Sequence, residues 1–263
     1  MYIDSHAHIY NEQFKDQLAE AVDTALASGV GKIYMPNVNV DSIDAMLEAE
    51  HRYPDVCIPM MGLHPCDVKK GFEKDLYVVE DWLSKRTFAA IGEMGLDYYW
   101  DESFREEQKE AFRIQVELAI KYKLPIVLHT RNANRDAIDL VSSLKSDSLR
   151  GIFHCFSGTV EEAKEMIALD FLLGIGGVIT FKNGGLDKVL PDLPAESMVL
   201  ETDCPYLAPV PYRGKRNEPS YIPLIASKLS ELMRISTDEI KEITTRNALA
   251  VFKAVNSPEI KNE

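Results

Sequence analysis

The 263-residue sequence lacks features that would place it in several common protein classes. Its four cysteines include no C-x-x-C pair, which favours free thiols in a reducing cytoplasm over a disulfide framework. No run of about 18 apolar residues is present, so no membrane-spanning segment is predicted. The first residues do not combine a basic region with an apolar stretch, so we expect no signal peptide. Nothing in the sequence indicates an obligate protein partner.

The sequence is also poor in positive charge. It has 29 Lys and Arg against 42 Asp and Glu, a formal net charge of −13. Binding to duplex nucleic acid usually draws on many Lys and Arg contacts with phosphates, so a broad surface of that kind is not expected. A small cationic pocket, or metal ions that hold one or two phosphates, stays compatible with this charge.

Short apolar runs alternate with amphipathic stretches along almost the whole chain. In the first amphipathic stretch Leu18, Val22 and Ala25 have the 3.6-residue spacing of a helix with one buried face. Alternating strands and helices indicate parallel strands with right-handed crossovers, and eight such units close into an α/β TIM barrel, (β/α)8, which we expect to span 1–263 as a single domain. The eight predicted strands are 2–8, 32–38, 56–64, 88–96, 125–130, 151–156, 171–177 and 198–202.

The end of the sequence departs from this regular alternation. The seventh unit is glycine-rich and its segment 183–190 supports only a short helix. The proline-rich, locally basic segment 205–219 follows the eighth strand and is predicted to lie at the barrel mouth, where long loops are often functional. We expect closing helices over 222–233 and 237–254, and frayed residues over 256–263.

Histidines concentrate at one predicted layer. His51 is expected on a helix surface, and His6-x-His8 would place two imidazoles on one strand face. Barrel active sites form at the C-terminal ends of the strands, where the loops meet. Five of the six histidines fall at such ends: His6, His8, His64, His129 and His154.

Carboxylates occur in the same layer. Glu93 ends the fourth predicted strand and Asp203 the eighth, and a buried acid is costly unless it is paired or binds a metal. Asp4 is expected below His6, where it could accept a ligand's spare N–H. Glu201 has either a supporting contact with a ligand or a structural role, and Asp97 is expected to orient the loop after Glu93.

Six inward groups are too many for one catalytic ion that keeps an open position, and they suit two ions that share a bridging carboxylate. We expect Glu93 to be the bridge and Asp203 to bind the first ion and take a proton from the attacking water. Mixed imidazole and carboxylate ligands favour Zn, Mn, Co or Fe, with Mg also compatible. The predicted metal ligands are His6, His8, Glu93, His129, His154 and Asp203.

The residues also resemble a known family. The matching motifs are HAH at 6–8, GLHP at 62–65, GEMGLDYY at 92–99, HTR at 129–131, HCFSG at 154–158, ETDCP at 201–205 and YRGKRNEP at 212–219. In this order they resemble the TatD family of metal-dependent deoxyribonucleases, over about 1–251. The resemblance implies a hydrolase with two divalent metal ions that cleaves phosphodiester bonds in DNA, as an exonuclease.

The resemblance also implies roles for individual residues. One ion would be held by His6, His8, Glu93 and Asp203, and the other by Glu93, His129 and His154. With Glu93 and Asp203, His64 completes the expected catalytic set, because it would contact the scissile phosphate or the leaving group. Arginine presents a planar fork to phosphate oxygens, so Arg131, Arg213 and Arg216 are the predicted phosphate contacts. Together with His64 they form the predicted set of substrate contacts.

The acidic charge leads to an expectation about the substrate. A protein of net charge −13 that acts on DNA should hold a strand end through metals and few side chains. We therefore expect salt-sensitive binding and a preference for single-stranded or frayed ends. Tyr98, Tyr99 and Trp100 either stack on bases or cap the barrel as packing residues.

Three alternatives stay open at this point. The first is an amide, lactone or phosphotriester hydrolase on the same scaffold, although Glu93 stands where many of these enzymes carry a modified lysine. The second is a deacylase that acts on the ester bond of a D-aminoacyl-tRNA. The third is a scaffold that binds metal or nucleic acid without catalysis.

Overall fold

The computed structural model describes residues 1–253, so the prediction for 256–263 lies outside the described part of the chain. Within it, eight strands alternate with helices as the sequence predicted. The strands are β1 (Tyr2–Asp4), β2 (Val30–Pro36), β3 (Cys57–Met60), β4 (Ile91–Asp97), β5 (Ile126–Arg131), β6 (Gly151–Phe153), β7 (Phe171–Ile175) and β8 (Met198–Leu200).

All strand pairs are parallel and follow sequence order. β1 to β3 form one ladder and β4 to β8 a second. A parallel bridge between Met61 and Ile91 joins the two ladders on one side. On the other side the Ser5 N–H donates to the Leu200 carbonyl at 2.9 Å. The two seams close the strands into the predicted TIM barrel.

Helices cover the outside of the barrel. They are α1 (Leu18–Ala27), α2 (Ile43–Arg52), α3 (Glu73–Lys85), α4 (Arg105–Tyr122), α5 (Asn134–Ser143), α6 (Val160–Ala168), α7 (Ile222–Met233) and α8 (Thr237–Val251). Their start signals are local: Thr159 and Glu162 form a reciprocal capping box at α6. His51 lies on α2 with an exposed side chain, as predicted. In residues 1–253 no helix has the length and apolar character needed to cross a bilayer.

The seventh unit has no α-helix between β7 and β8. The expected short helix over 183–190 is replaced by single 3₁₀ turns, including Leu186–Lys188 and Leu190–Asp192. Glycines at 184 and 185 and prolines at 191 and 194 explain this, since glycine gains little from helix formation and proline lacks a donor. The segment 205–219 reaches the next 3₁₀ turn, Pro219–Tyr221, without a helix or strand.

The N-terminal end of the barrel interior is apolar. One buried cluster takes a side chain from most of the strands, two from the end of α8 and one from the residue that follows α8. Side chains that meet from strands on all sides can do so only inside the barrel. Phe252, just after α8, stacks on Tyr34 with ring centroids 3.8 Å apart, so the last helix closes this end. The cluster comprises Ile3, Tyr34, Met60, Ala90, Val127, Ile152, Val199, Ala248, Val251 and Phe252.

Candidate metal centre

The interior changes from apolar to polar along single strands. On β5, Val127 belongs to the apolar cluster and His129 lies two residues further on. The same step separates Ile152, on β6, from His154 just beyond it. Because strand side chains alternate between faces, a step of two keeps each pair on the inner face. Both histidines therefore lie at the C-terminal mouth of the barrel, above the packed apolar cluster.

Several site residues lie just beyond the strands. The prediction of a regular strand over 2–8 is wrong, because β1 ends at Asp4 and the chain bends before His6 and His8. The Nε2 atoms of the two imidazoles nevertheless lie 3.3 Å apart. Asp203 follows β8 with a left-handed φ of 57°, a conformation that L side chains adopt rarely and that Asp adopts more readily than most.

Glu93, on β4, lies at the centre of the site with its two oxygens facing different histidines. Oε2 is 3.2 Å from Nε2 of His6 and 3.3 Å from Nε2 of His8. Oε1 is 2.9 Å from Nδ1 of His129 and 3.2 Å from Nε2 of His154. Each oxygen of this buried carboxylate thus faces a pair of imidazoles, and Oε1 also lies 3.4 Å from Nε2 of His64.

Asp203 lies on the Oε2 side of Glu93. Its Oδ1 is 3.6 Å from Nε2 of His8 and 3.8 Å from Nε2 of His6. Its side chain is 14% exposed, against 4% for Glu93, so Asp203 is the site carboxylate that is more open to solvent. Groups of His, Glu and Asp whose ligand atoms lie within 4.8 Å of one another include His6, His8 and Asp203.

His64 lies on the Oε1 side. Its Nδ1 accepts a hydrogen bond from the Cys66 backbone N–H at 3.0 Å, which places the proton of the neutral ring on Nε2. Nε2 is 3.4 Å from Oε1 of Glu93. His64 groups with Glu93 and His129 within ligand distance of one another. The geometry is thus compatible both with a ligand role and with the predicted substrate contact.

The charges of the site support one another. Burial acts to raise the pKa of Glu93, but the surrounding His64, His6 and His154 outweigh it and hold this pKa well below its usual value. The pKa of Asp203 is lowered for the same reason, by a hydrogen bond from His8 and the positive charge of His154. Both acids are therefore carboxylates at neutral pH, the form that binds a cation.

The imidazoles differ from one another. Burial lowers the pKa of His6, and the stacked ring of His154 adds to this effect. Burial also acts to lower the pKa of His154, but the carboxylates of Glu201 and Glu93 outweigh it and raise this pKa well above its usual value. The pKa of His8 is raised in the same way, by Tyr10, Asp203 and Glu93 against the effect of burial.

Tyr10 fixes the orientation of His8. The Tyr10 hydroxyl donates to the Pro36 carbonyl, so it accepts from the Nδ1–H of His8 at 3.1 Å. This arrangement directs Nε2 of His8 at the Glu93 side. The role of Tyr10 was not predicted from the sequence, although its position two residues after His8 was the available signal.

Asp97 does the same for His129. It is the last residue of β4 rather than part of the following loop, and its Oδ2 is 2.8 Å from Nε2 of His129. Its Oδ1 accepts from the backbone N–H groups of Tyr99 and Trp100. Burial acts to raise the pKa of Asp97, but these hydrogen bonds outweigh it and lower the pKa to about 2. Asp97 therefore positions both a candidate ligand and the loop.

Glu201 positions His154. Its Oε1 is 3.2 Å from Nδ1 of His154 and accepts from the Cys155 backbone N–H at 2.5 Å. A side chain at Gly174 would begin 2.2 Å from Oε2 of Glu201, so this glycine on β7 leaves the space that the carboxylate fills. Of the two roles left open for Glu201, the structure gives it the contact with a candidate ligand. Gly174 was missed, and a glycine inside a strand was the signal.

The prediction for Asp4 is wrong. Its carboxylate accepts from the backbone N–H of His6, the backbone N–H of Thr202 and the Thr202 hydroxyl, and so joins β1 to the end of β8. It takes no imidazole proton, and Nδ1 of His6 is buried without a hydrogen-bond partner among residues 1–253. Burial raises the pKa of Asp4 to about 8.

The donor set fits divalent cations. At His8, His129 and His154 an outer acceptor takes one ring N–H, and the other nitrogen faces the Glu93 carboxylate. This pairing is how metal-binding imidazoles are usually oriented. Nitrogen and carboxylate oxygen together suit Zn, Mn, Co or Fe, and Mg in a more oxygen-rich arrangement.

The three predicted phosphate-binding arginines have different surroundings. The Arg131 guanidinium lies 3.7 Å from the centroid of the Tyr99 ring, and that of Arg213 lies 3.6 Å from the centroid of Phe181. Arg216 instead bonds to Glu218 at 2.7 Å, and to Gln13 and Gln17 of the N-terminal segment. The structure thus uses Arg216 to hold the 205–219 loop, and not as a free phosphate contact.

The cysteines take no part in a disulfide. All four thiols are free. Cys204 is buried, whereas Cys155 is only partly buried. Cys155 has a left-handed φ of 48°, so the backbone turns immediately after His154.

Comparisons with known proteins show which sequences this chain is similar to. Residues 3–253 match the family described as TatD related DNase. The metal-dependent hydrolase YabD of Bacillus subtilis (strain 168), described as uncharacterized, is 39% identical over 254 residues, which cover 96% of this chain and 99% of YabD. A protein of Edwardsiella piscicida named 3'-5' ssDNA/RNA exonuclease TatD is 31% identical over 257 residues, covering 95% and 99% of the two chains.

A solved structure is also similar. The crystal structure of YJJV, a TatD homolog from Escherichia coli k12, superposes with a TM-score of 0.91 at 28% sequence identity. The match covers 96% of this chain and 98% of that one. A phosphotriesterase homology protein from Escherichia coli has a TM-score of 0.67 at 13% identity, which shows a shared fold only.

Proposed function

Because the chain belongs to the TatD family of metal-dependent hydrolases, we propose that it is an exonuclease that cleaves phosphodiester bonds at single-stranded or frayed DNA ends. Two divalent cations would be held by the candidate metal centre. The single observation that carries this proposal is Glu93, whose Oε2 faces His6 and His8 while its Oε1 faces His129 and His154. A carboxylate with a nitrogen pair at each oxygen is suited to bridge two ions.

The proposed ligand sets follow from these contacts. His6, His8, Glu93 and Asp203 would hold the first cation. Glu93, His129 and His154 would hold the second. Bound cations would supply positive charge that polarises the phosphoryl group and lowers the pKa of a water molecule.

The protein's own groups complete the reaction. Asp203, the more open site carboxylate, accepts the proton of the attacking water at an Oδ atom. His64 Nε2–H donates to a phosphate oxygen or to the leaving oxygen, since its Nδ1 is held as an acceptor by Cys66. Arg131 and Arg213 contact neighbouring phosphates. His64 is kept as a substrate contact in this proposal, although its distance to Glu93 also suits a ligand.

The role of His64 can be separated from ligation. We expect His64→Gln to lower turnover on single-stranded DNA while the protein keeps two bound metal ions per chain, measured by inductively coupled plasma mass spectrometry. Loss of one ion would make His64 a ligand. His51→Gln, on the surface of α2, is the matched control and should change neither quantity.

The substrate class is tested on metal-reconstituted protein. We expect hydrolysis of a single-stranded DNA oligonucleotide, slower hydrolysis of the matched duplex, and loss of both with EDTA. RNA of the same sequence and a D-aminoacyl-tRNA are included, since relatives are named ssDNA/RNA exonucleases and an ester bond suits the same site. Equal rates on single strand and duplex, or deacylation without DNA cleavage, would refute the proposed substrate.

A further inference from the structure

Two exposed aromatic side chains lie at the mouth of the barrel. Trp100 is 69% exposed and its neighbour Tyr99 is 52% exposed, directly after β4. Exposure of large aromatic rings to water is unfavourable, and adjacent exposed rings often mark a surface that binds a ligand or a partner. Both residues follow Asp97 in the sequence GLDYYW, so they lie near the metal centre.

These rings are fixed relative to the candidate metal centre. Asp97 holds Nε2 of His129 with one oxygen and the backbone N–H groups of Tyr99 and Trp100 with the other. A single buried carboxylate thus joins a candidate ligand to the aromatic pair. Because the link uses backbone N–H groups of the two residues, their side chains are free to serve another purpose.

An arginine without a carboxylate partner completes the surface. Arg131 lies two residues beyond His129 on β5, and its guanidinium is 3.7 Å from the Tyr99 ring centroid and 5.3 Å from that of Trp100. In the described residues 1–253, no Asp or Glu oxygen lies within 4.0 Å of it. Arg135 on the adjacent helix, by contrast, bonds to Asp139 and Glu165. Arg131 is therefore oriented by stacking and keeps its charge available.

A polar cavity of about 650 Å³ adjoins this surface. Besides Tyr99 and Arg131, its lining includes the neutral side chains of Thr130, Asn134 and Ser157. It also includes four charged side chains, Arg105, Arg135, Asp136 and Glu162. Its volume is within the range of sites for small molecules, roughly 300–1,000 Å³. Because Arg105 and Arg135 are paired with carboxylates, Arg131 is the guanidinium left to bind a phosphate, beside hydroxyl and amide groups that suit a sugar.

We propose that Tyr99, Trp100 and Arg131 form a subsite for the unpaired nucleotide next to the bond that is cleaved. The proposal rests on the proposed function and adds its specificity determinant. The base stacks on the exposed rings, and the Arg131 fork binds a phosphate of the adjoining nucleotide at the cavity. A base inside a duplex has both faces covered by its neighbours, and a base of a blunt terminal pair exposes one face and stays held to its partner. The base of a single-stranded or frayed end is free to stack on the rings and should therefore be preferred.

Tryptophan fluorescence tests this directly, without turnover. The chain has two tryptophans, so Trp82→Phe leaves Trp100 as the reporter. In metal-free protein we expect a single-stranded oligonucleotide, (dT)10, to quench this fluorescence, and a blunt duplex of equal length to quench it far less. Absence of quenching by (dT)10 would overturn the subsite.

Variants measure the contribution of each side chain. Fluorescence anisotropy of labelled (dT)10 should give a Kd raised about tenfold by Trp100→Ala, and likewise by Tyr99→Ala, in line with about 1–3 kcal/mol per stacked base. Arg131→Ala should weaken binding and make it less sensitive to salt. Tyr77→Ala, which removes a 73% exposed tyrosine on α3, is the matched control and should leave Kd unchanged. Equal Kd values for all four variants would also overturn the subsite.

The failure of this proposal is distinct from failure of the proposed function. Suppose that metal-loaded wild-type protein cleaves single-stranded DNA, but Tyr99→Ala, Trp100→Ala and Arg131→Ala bind and cleave it as the wild type does. The subsite is then wrong and the proposed nuclease function is retained. If (dT)10 quenches Trp100 and the variants raise Kd while no nucleic acid is cleaved, the subsite stands and the nuclease is wrong.

Discussion

The two ends of the barrel interior are built by the same strands and have opposite character. At the N-terminal end, apolar side chains pack under Phe252. At the C-terminal end, imidazoles surround the buried Glu93. On β5, Val127 and His129 are only two positions apart, yet the first packs in the core and the second faces the carboxylate. Substitutions at the apolar end should therefore lower the free energy of unfolding, and substitutions at the metal centre should lower turnover. Each kind of substitution should have little effect on the other quantity.

The largest effect is expected at Glu93. Glu93→Gln removes the charge that both imidazole pairs share, and should lower turnover on single-stranded DNA by about 10³-fold or more, which corresponds to several kcal/mol in the barrier. The far-ultraviolet circular dichroism spectrum should stay that of the wild type, since the apolar end is untouched. Glu117→Gln, on the exposed face of α4, is the control. Wild-type turnover in Glu93→Gln would contradict the bridging role.

The apolar end should give the reverse result. Phe252→Ala removes a ring that is 6% exposed and stacked on Tyr34, and should lower the free energy of unfolding by about 3 kcal/mol. Urea unfolding of the metal-free protein measures this. The kcat of the metal-loaded protein should not change. Leu249→Ala, at a 43% exposed position of α8, should cost far less, and a lowered kcat in Phe252→Ala would show that the two ends are coupled.

A smaller effect is expected from the carboxylates around the ligands. Glu201→Gln weakens the acceptor at His154 Nδ1 and should lower metal affinity about 10- to 100-fold. Gly174→Ala should give a similar loss, because its added methyl would displace Glu201. Competition with a chelator of known affinity measures both. Gly71→Ala is no control here because Gly71 has a φ of 85°, so Glu196→Gln, on an exposed surface, serves instead.

The smallest expected effect is the number of protons released when a metal ion binds. In the metal-free protein the raised pKa values of His8 and His154 keep protons on these rings at pH 7. A cation must displace those protons, so its affinity should fall as the pH is lowered, by about tenfold per pH unit for each proton displaced. Calorimetry in two buffers of different ionisation enthalpy counts the released protons. His51→Gln should release as many as the wild type, and zero release would contradict the assignment.

Much of the fold could be predicted because it depends on periodicity. Eight apolar runs separated by amphipathic stretches specify parallel strands with crossover helices, and the structure has β1 to β8 in that order. The helix at Ile222–Met233 was predicted to the residue. The strand ends could not be predicted, because they depend on where neighbouring strands stop pairing. β1 ends at Asp4 for this reason, four residues before His8.

The positions of the candidate ligands were predicted better than their surroundings. Histidines that recur at strand ends show in the sequence, because the barrel brings all such ends together. Their orientation depends on side chains that are near only in space. Tyr10, Asp97 and Glu201 each hold one imidazole, and no spacing rule assigns each of them its partner.

The sequence by itself determined the barrel, the layer in which the chemistry lies and the residue types available there, because alternation and strand-end position are properties of the chain. Tertiary structure decided which oxygen of Glu93 faces which pair of histidines. It also decided that Arg131 keeps its charge available while Arg216 is used to hold a loop. The physical reason is that the interaction energy of two charged or polar side chains depends on the distance between them and on their burial. For side chains on different strands, both are fixed only once the barrel has closed.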